Sequence, residues 1–279
     1  MIGLVTDSNA QLPAELAERY GVEVVPLTVV VDGVEHLEGV DLDADDFYAR
    51  FAMARPTVST AQPSPGRFAA AYEAVAERGA TEILSVHIGS SVSGTVNAAR
   101  LASQVSPVPV RIVDTGTASF AVSLCLWEAA EAAAGGATLE EAATAAEGLS
   151  ATVGNVFVVG LLDVARAGGR LAGDVHRTPA TIPVLTLSGG VMTEVDRCCG
   201  LEQVAGAMAS AIRAGGRSLR VGVGLSDSGT LPLVISLEDR LRSAPEVSEL
   251  VRYRVGPSVG AHTGPGTVGA MFAPRFGQR

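Results

Sequence analysis

The stretch that decides the fold is residues 83–95, which read ILSVHIGSSVSGT. Its first part, Ile83–Ile88, is a short apolar run of the kind that forms a buried strand. A turn of small residues, Gly89–Thr95, follows, and a helical pattern begins directly after it. A helix N-cap would explain one hydroxyl of this turn, but it does not explain three serines and a threonine. Since a helix N-terminus presents free backbone N–H groups, the turn predicts an anion site.

Similar short apolar runs alternate with helical stretches along the whole chain, which indicates an α/β protein. The other runs are Ile2–Val5, Val22–Val31, Val108–Val113, Val156–Val159, Ile182–Leu187, Leu219–Leu225 and Val268–Phe272. In the second half, Ser188–Gly190 separates two alternating runs, which predicts a hairpin and some antiparallel pairing.

The length and a break in the alanine-rich segment predict two domains. A chain of 279 residues is about twice the usual domain length of roughly 150 residues. The helical pattern breaks at Gly135–Gly136, and a helix with the capping pair Thr138 and Glu141 then ends near Gly148. We therefore predict an N-terminal α/β domain with a parallel sheet over residues 1–150. A C-terminal α/β domain with a mixed sheet is predicted over residues 151–279.

The composition excludes several classes of function. Thirty acidic against twenty basic residues give a net charge of −10, which argues against nucleic acid as a partner. All of the basic residues are arginine, which excludes a lysine Schiff base and a phosphate-loop lysine. The metalloprotease motif HExxH is absent, Ser90, Ser91 and Ser226 do not have both flanking glycines of a GxSxG elbow, and Gly222–Gly224 lacks the third glycine of GxGxxG.

The cysteines and the hydropathy pattern predict a cytoplasmic protein without a membrane span. Three cysteines are too few and too badly spaced for a disulfide framework or a CxxC metal site. The opening residues MIGLVTDSNA lack the charged start and apolar run of a secretory signal. The uncharged segment Val255–Pro274 contains several glycines and prolines, so we expect loop and strand there.

Three further polar clusters lie where strands are expected to end, which is where open α/β sheets bind ligands. They are Thr6–Asp7–Ser8, Ser59–Ser64 and Gly256–Gly266, the last containing His262 and Thr263. Each also has a simpler interpretation. In the same order, these are a helix cap, a turn stiffened by proline and a histidine with a purely structural role.

Taken in order, five motifs resemble those of the DegV family of bacterial fatty-acid-binding proteins. They are VTDS at 5–8, STAQPS at 59–64, SVHIGSSVSGT at 85–95, ARAGGR at 165–170 and VGPSVGAHTGPG at 255–266. The resemblance implies a two-domain protein that buries one long-chain fatty acid and has no catalytic activity, cofactor or metal of its own. It also implies a partner fatty acid kinase, whose ATP-binding subunit makes an acyl phosphate for phospholipid synthesis. With no membrane span expected, contact with a membrane would be transient.

The resemblance assigns roles to particular residues. It places Thr60 in the carboxylate site together with Ser90, Ser93 and Gly94 of the small-residue turn, and with His262. It assigns kinase docking or the phosphoryl step to Arg170 and Arg197.

The chain departs from the family pattern at three places. Ala61 and Gly89 stand where family members commonly have serine, and Cys198–Gly200 stands where basic residues are common. The last departure suggests a second reading, in which the chain has lost its kinase partner.

A buried carboxylate is costly unless several donors meet it, and a hydroxyl cluster with a nearby histidine supplies such donors. The alkyl tail of the fatty acid needs only an apolar channel, and its burial contributes about 25 cal/mol for each Å2 of apolar surface removed from water.

An alternative from another class is an acyl ester hydrolase with a serine of the Ser90–Ser93 turn as nucleophile and His262 as base. Since no carboxylate is evidently placed to orient the imidazole, the carrier is our main hypothesis.

Overall fold

The computed structural model describes residues 1–167, 175, 178, 180–188 and 191–275. The chain divides into two compact units. The first consists of Met1–Asp41 and Thr60–Thr152, and the second of Leu42–Ser59 and the described residues within 153–275. No sequence pattern indicated that Leu42–Ser59 groups with the second unit, and the predicted division near residue 150 stays a prediction.

The strands and helices alternate as follows in chain order: β1 (Ile2–Asp7), α1 (Ala14–Tyr20), β2 (Glu23–Val25), β3 (Thr28–Val31), β4 (Val34–Leu37), α2 (Ala44–Met53), β5 (Val58–Ala61), α3 (Pro65–Glu77), β6 (Glu82–His87), α4 (Thr95–Ser103), β7 (Val110–Asp114), α5 (Phe120–Ala134), α6 (Leu139–Ser150), β8 (Gly154–Val158), α7 (Leu162–Ala167), β9 (Ile182–Ser188), β10 (Val191–Cys198), α8 (Leu201–Arg213), β11 (Leu219–Leu225), α9 (Leu231–Arg242), β12 (Val247–Arg254), α10 (Pro257–Thr263) and β13 (Val268–Pro274). Short 3₁₀ turns follow β1 at Ser8–Ala10 and precede α9 at Ser228–Thr230.

The first unit has a four-stranded sheet of order β2-β1-β6-β7 in which every neighbouring pair is parallel. This confirms the parallel sheet predicted for the N-terminal half. The central strands β1 and β6 are buried, and one core cluster joins Val5 and Ile83 of the sheet to Phe68 of α3 and Ala98 of α4. The carboxyl ends of β1 and β6 meet at one edge, where Thr6 is in register with Val86.

The run Val22–Val31 is two strands, so the prediction of one strand is wrong there. Pro26 separates them, because proline has no N–H to donate to a ladder. β2 pairs with β1, whereas β3 pairs antiparallel with β4 in a three-stranded sheet of order β4-β3-β5. Asp32 and Gly33 form the β3–β4 turn with φ of 51° and 85°, and this Asp-Gly pair is a hairpin signal that the sequence analysis passed over.

The second unit has a six-stranded mixed sheet of order β10-β9-β8-β13-β11-β12. β11 and β12 pair in parallel, and the other neighbouring pairs are antiparallel. This confirms both the mixed sheet and the predicted hairpin, in which Ser188 is in register with Val191. The turn glycines Gly189 and Gly190 lie outside the described residues.

The segment Val255–Pro274 differs from its prediction as loop and strand because it contains α10. Pro257 stands in the first turn of this helix, where its missing N–H costs nothing, and Gly264 ends the helix with φ 73°. Within the described ranges, no helix combines the length and the apolar character needed to cross a membrane.

Candidate functional site

A fully buried carboxylate joins the ends of β1 and β6. Asp7 accepts hydrogen bonds from the backbone N–H of Asn9 at 3.1 Å and of Ile88 at 3.0 Å. Its Oδ2 is also 2.9 Å from Nδ1 of His87. The side chains of Asp7 and His87 both have 0 % exposure. The helix-cap interpretation of Thr6–Asp7–Ser8 is therefore correct for Asp7 but incomplete, since the same carboxylate also holds a second loop.

The histidine continues into a buried polar chain. Nε2 of His87 is 2.6 Å from Oγ of Ser85, which is 3.0 Å from the hydroxyl of Tyr72. Burial raises the pKa of Tyr72 to about 12, although the hydrogen bond with Ser85 lowers it in part. Phe68 packs against the edge of His87, with ring centroids 5.0 Å apart.

The connectivity of Ser85, His87 and Asp7 is that of a serine-hydrolase triad, yet it does not support hydrolysis. Ser85 is fully buried, and its hydroxyl lies between His87 and Tyr72. A nucleophile must reach its substrate, so the buried Ser85 cannot serve as the nucleophile of a hydrolase. The sequence clusters did not include Ser85 and His87, although residues two apart in a strand share one face and the pair could have been found by that spacing.

The turn Gly89–Thr95 is closed by its own hydrogen bonds. The backbone N–H groups of Val92 and Ser93 donate to the carbonyl of Gly89 at 2.9 and 3.1 Å. Oγ of Ser93 is 2.8 Å from Oγ1 of Thr95 and accepts from the Thr95 N–H at 3.3 Å. Gly94 caps α4 without a side-chain hydrogen bond, so the hydroxyl cluster lies at the helix N-terminus as predicted from the sequence pattern.

The STAQPS segment meets this turn through Gln62. A Cβ built on Gly94 would lie 1.6 Å from Oε1 of Gln62, so only glycine allows the amide side chain to approach so closely. Thr60, at the end of β5, is half-buried and belongs to the same unit. The structure thus brings together two of the polar clusters that the sequence singled out.

Ser90 has a different environment from Ser93. Its N–H donates to Oδ1 of Asp114 at 3.0 Å, as does that of Gly116 at 3.1 Å. Burial opposes ionisation of Asp114, but hydrogen bonds from Ser90 and Gly116 and the charge of Arg100 outweigh it and lower the pKa. Because a second carboxylate would be repelled here, the geometry favours Ser93 over Ser90 as a carboxylate ligand.

Gly89, where the family commonly has serine, is held against another backbone. A Cβ at this position would lie 2.6 Å from the carbonyl carbon of Gly116 and 2.8 Å from its Cα. We expect Gly89→Ser to destabilise the protein by about 1–3 kcal/mol, since a packed backbone must move to admit the side chain. Urea unfolding of the variant and of the unaltered protein measures this difference.

Gly148→Ser is the matched control for that substitution. A Cβ on Gly148 in α6 meets nothing within 4 Å, so this variant should be neutral or slightly more stable. Equal stability of the two serine variants would contradict the packing argument for Gly89.

In the second unit, His262 is half-buried on α10. This helix packs on α2, where a Cβ on Gly260 would lie 2.5 Å from the hydroxyl of Tyr48. The loop after α10 is held by Asp227, which accepts from the N–H of Gly266 at 2.6 Å and from that of Gly229 at 2.9 Å. The sequence analysis did not single out Asp227 or Tyr48.

The two arginines assigned to the kinase partner are Arg197 and Arg170. Arg197 is half-buried in β10, forms an ion pair with Glu194 and donates from its guanidinium to Oγ1 of Thr181 at 3.3 Å. Arg170 lies outside the described residues. In the part of the chain that the structure describes, no group of three or more His, Cys, Asp or Glu side chains could hold a metal ion.

Comparison with known proteins gives a consistent result. Residues 1–275 match a family model described as an uncharacterised protein, DegV family. A DegV domain-containing protein of Streptomyces coelicolor is 38% identical over 285 residues, which cover 98% of this chain and 99% of that protein. One from Deinococcus radiodurans is 31% identical and covers 98% of both chains.

Solved structures share the fold over almost the whole length. A DegV family protein from Thermus thermophilus, described by its fatty acid binding, aligns with a TM-score of 0.86 and 32% identity, covering 98% of this chain and 99% of that one. A DegV lipid binding protein from Thermotoga maritima aligns with a TM-score of 0.87 and 28% identity, covering 98% of both chains. These similarities confirm the two-domain α/β fold class that the motifs predicted.

Proposed function

Because the chain belongs to the DegV family, we propose that it binds one long-chain fatty acid and presents the carboxylate to a partner kinase. Fatty acid binding by the Thermus thermophilus relative, which is similar over 98% of this chain, supports the ligand class. The chain would then act as a carrier without turnover of its own. Its location would be the cytoplasm, where a soluble kinase subunit has access to it.

The observation that carries this proposal is the contact between Gln62 and Gly94. It joins the segment of Thr60 to the turn of Ser93 at the N-terminus of α4. Uncharged hydroxyl and amide donors with a helix N-terminus suit a carboxylate, because they stabilise the anion without a lysine or arginine. In this assignment Thr60, Ser93 and Gly94 form the head-group site of the first unit. His262 would be a further donor, and Ser90 would contribute little.

The kinase step would be carried out by the partner. A carboxylate oxygen of the bound lipid would attack the γ-phosphorus of ATP, so that ADP leaves and an acyl phosphate forms. We assign recognition of the partner to Arg170 and, with a smaller share, to Arg197, whose guanidinium is already paired with Glu194.

Lipid extraction and a comparison of head groups test the proposal. We expect organic extracts of the purified protein to contain a fatty acid by mass spectrometry. After delipidation, the protein should bind a C16 or C18 fatty acid at least about tenfold more tightly than the alcohol of the same length, because a charge-assisted hydrogen bond contributes about 1.5–3 kcal/mol. Titration calorimetry measures both affinities.

Two outcomes would contradict this function. A protein that is isolated without lipid and also refuses added fatty acid is not a carrier. Labelling by a fluorophosphonate probe, lost when Ser90 or Ser93 is replaced by alanine, would instead support the hydrolase alternative.

A further inference from the structure

We propose that Asp7 and His87 are positioning residues for the head-group site, acting through the backbone of Ile88. This inference rests on the proposed function, because the site that they position is the one assigned to the fatty-acid carboxylate. Neither residue is accessible to a ligand, since both side chains have 0 % exposure. Their effect on binding would be transmitted through the loop between β6 and α4.

The first step is the convergence of donors on Asp7. Backbone N–H groups from two loops, Asn9 after β1 and Ile88 after β6, meet the same carboxylate together with the His87 imidazole. A buried carboxylate is tolerated only where such donors satisfy it. The two strand-end loops are therefore held at a mutual distance set by one side chain.

The second step is the order of protons along the chain. An ionised carboxylate only accepts hydrogen bonds, so Nδ1 of a neutral His87 must carry the proton. Nε2 then accepts from the hydroxyl of Ser85, which in turn accepts from Tyr72. This order selects one imidazole tautomer, and it depends on the carboxylate of Asp7.

The third step leads from Ile88 to the proposed ligand. Gly89 follows directly, its N–H donates to the carbonyl of Thr117 at 2.7 Å, and its carbonyl accepts from Ser93 at 3.1 Å. A short hydrogen-bonded path thus connects Asp7 to the Ser93 turn. Displacement of the Ile88 N–H would move the hydroxyl cluster at the α4 N-terminus.

The second unit repeats this arrangement independently. Asp227 follows β11 as Asp7 ends β1, and each accepts from the N–H two residues later in a 3₁₀ turn. Asp227 also holds Gly266, in the loop that follows α10 and His262. An aspartate at or just after the end of a strand therefore holds each candidate head-group segment, Asp7 through Ile88 and Asp227 through Gly266.

Asp7→Asn tests the proposal, because an amide cannot replace both carboxylate oxygens as acceptors. If the new NH2 group faces Asn9, the β1 loop loses its acceptor. If it faces Ile88, the β6 loop loses its acceptor and His87 must change tautomer. We expect the affinity for a C16 fatty acid to fall at least about tenfold, measured where unfolding curves show both proteins folded.

Tyr72→Phe is the matched control, since it shortens the same buried chain at the end remote from Ile88. It should change the affinity less than about threefold. Nitrogen-15 NMR gives a readout that a merely structural role would not move, namely the His87 tautomer and the amide proton shift of Ile88. In Asp7→Asn the Ile88 shift should change in either orientation, because its N–H no longer meets a charged acceptor, and the tautomer should change when the NH2 group faces Ile88. Neither should change in Tyr72→Phe.

The outcomes separate this inference from the function beneath it. Failure of the unaltered protein to bind fatty acid defeats the proposed function. Normal binding by both the unaltered protein and Asp7→Asn overturns the positioning role alone. If Asp7→Asn does not fold, the fatty acid affinities of His87→Asn and His87→Ala test the positioning role instead. The asparagine amide can donate to Asp7 in place of Nδ1 and should retain binding, whereas alanine should lose it, and equal affinities would overturn the proposal.

Discussion

Replacing Ser93 by aspartate is expected to lower the affinity for a long-chain fatty acid by at least about 100-fold at pH 7. A second carboxylate beside the bound one costs several kcal/mol, and each 1.4 kcal/mol corresponds to about a tenfold change. Stability should not fall, because Ser93 stands just before α4 and a negative charge at a helix N-terminus is favourable. Calorimetric titration and thermal unfolding measure the two effects separately.

Ala14→Asp is the control for the added charge. It places the same carboxylate in the exposed first turn of α1, also in the first unit. We expect unchanged fatty acid affinity in this variant. If Ser93→Asp binds as well as Ala14→Asp does, the head group does not lie at the N-terminus of α4.

Replacing Phe68 by alanine is expected to destabilise the protein by about 3–5 kcal/mol, the usual range for removing a buried aromatic ring. Phe68 is fully buried and packs against both Tyr72 and His87. The cavity left by the ring would therefore open beside the hydrogen-bonded series of side chains that runs from Tyr72 through His87 to Asp7. Urea unfolding monitored by circular dichroism measures the loss of stability.

Leu101→Ala supplies the comparison for this truncation. Leu101 lies on α4 with 48% exposure, so little apolar contact is lost, and we expect a change below about 1 kcal/mol. A similar loss in both variants would mean that the core of the first unit is not organised around Phe68.

Local patterns predicted those elements whose signals lie within a few neighbouring residues. The apolar run Ile83–Ile88 is β6 up to His87, and the small-residue turn precedes α4 as expected. The capping pair Thr138 and Glu141 makes both of its reciprocal hydrogen bonds. Such signals succeed because strand alternation and helix capping depend on local backbone chemistry.

Predictions were wrong where a break or a helix was hidden in an apolar or glycine-rich run. Pro26 divides Val22–Val31, and α10 begins at Pro257 within a segment expected to be loop. In both places the proline was visible, but its meaning depended on the strand or helix around it. A proline can end a strand or begin a helix with the same ring geometry.

By itself, the sequence determined the α/β class, the parallel and mixed sheets, the polar clusters at strand ends and the family motifs. Only the tertiary structure placed Asp7 beside His87, eighty residues apart in number, and Gln62 against Gly94. It also showed that Gly89 abuts Gly116 and that Asp114 engages Ser90. The physical reason is that periodicity and capping are encoded by neighbours along the chain. Contacts between strand ends instead depend on which strands pair and in which register, and the sheet as a whole decides that.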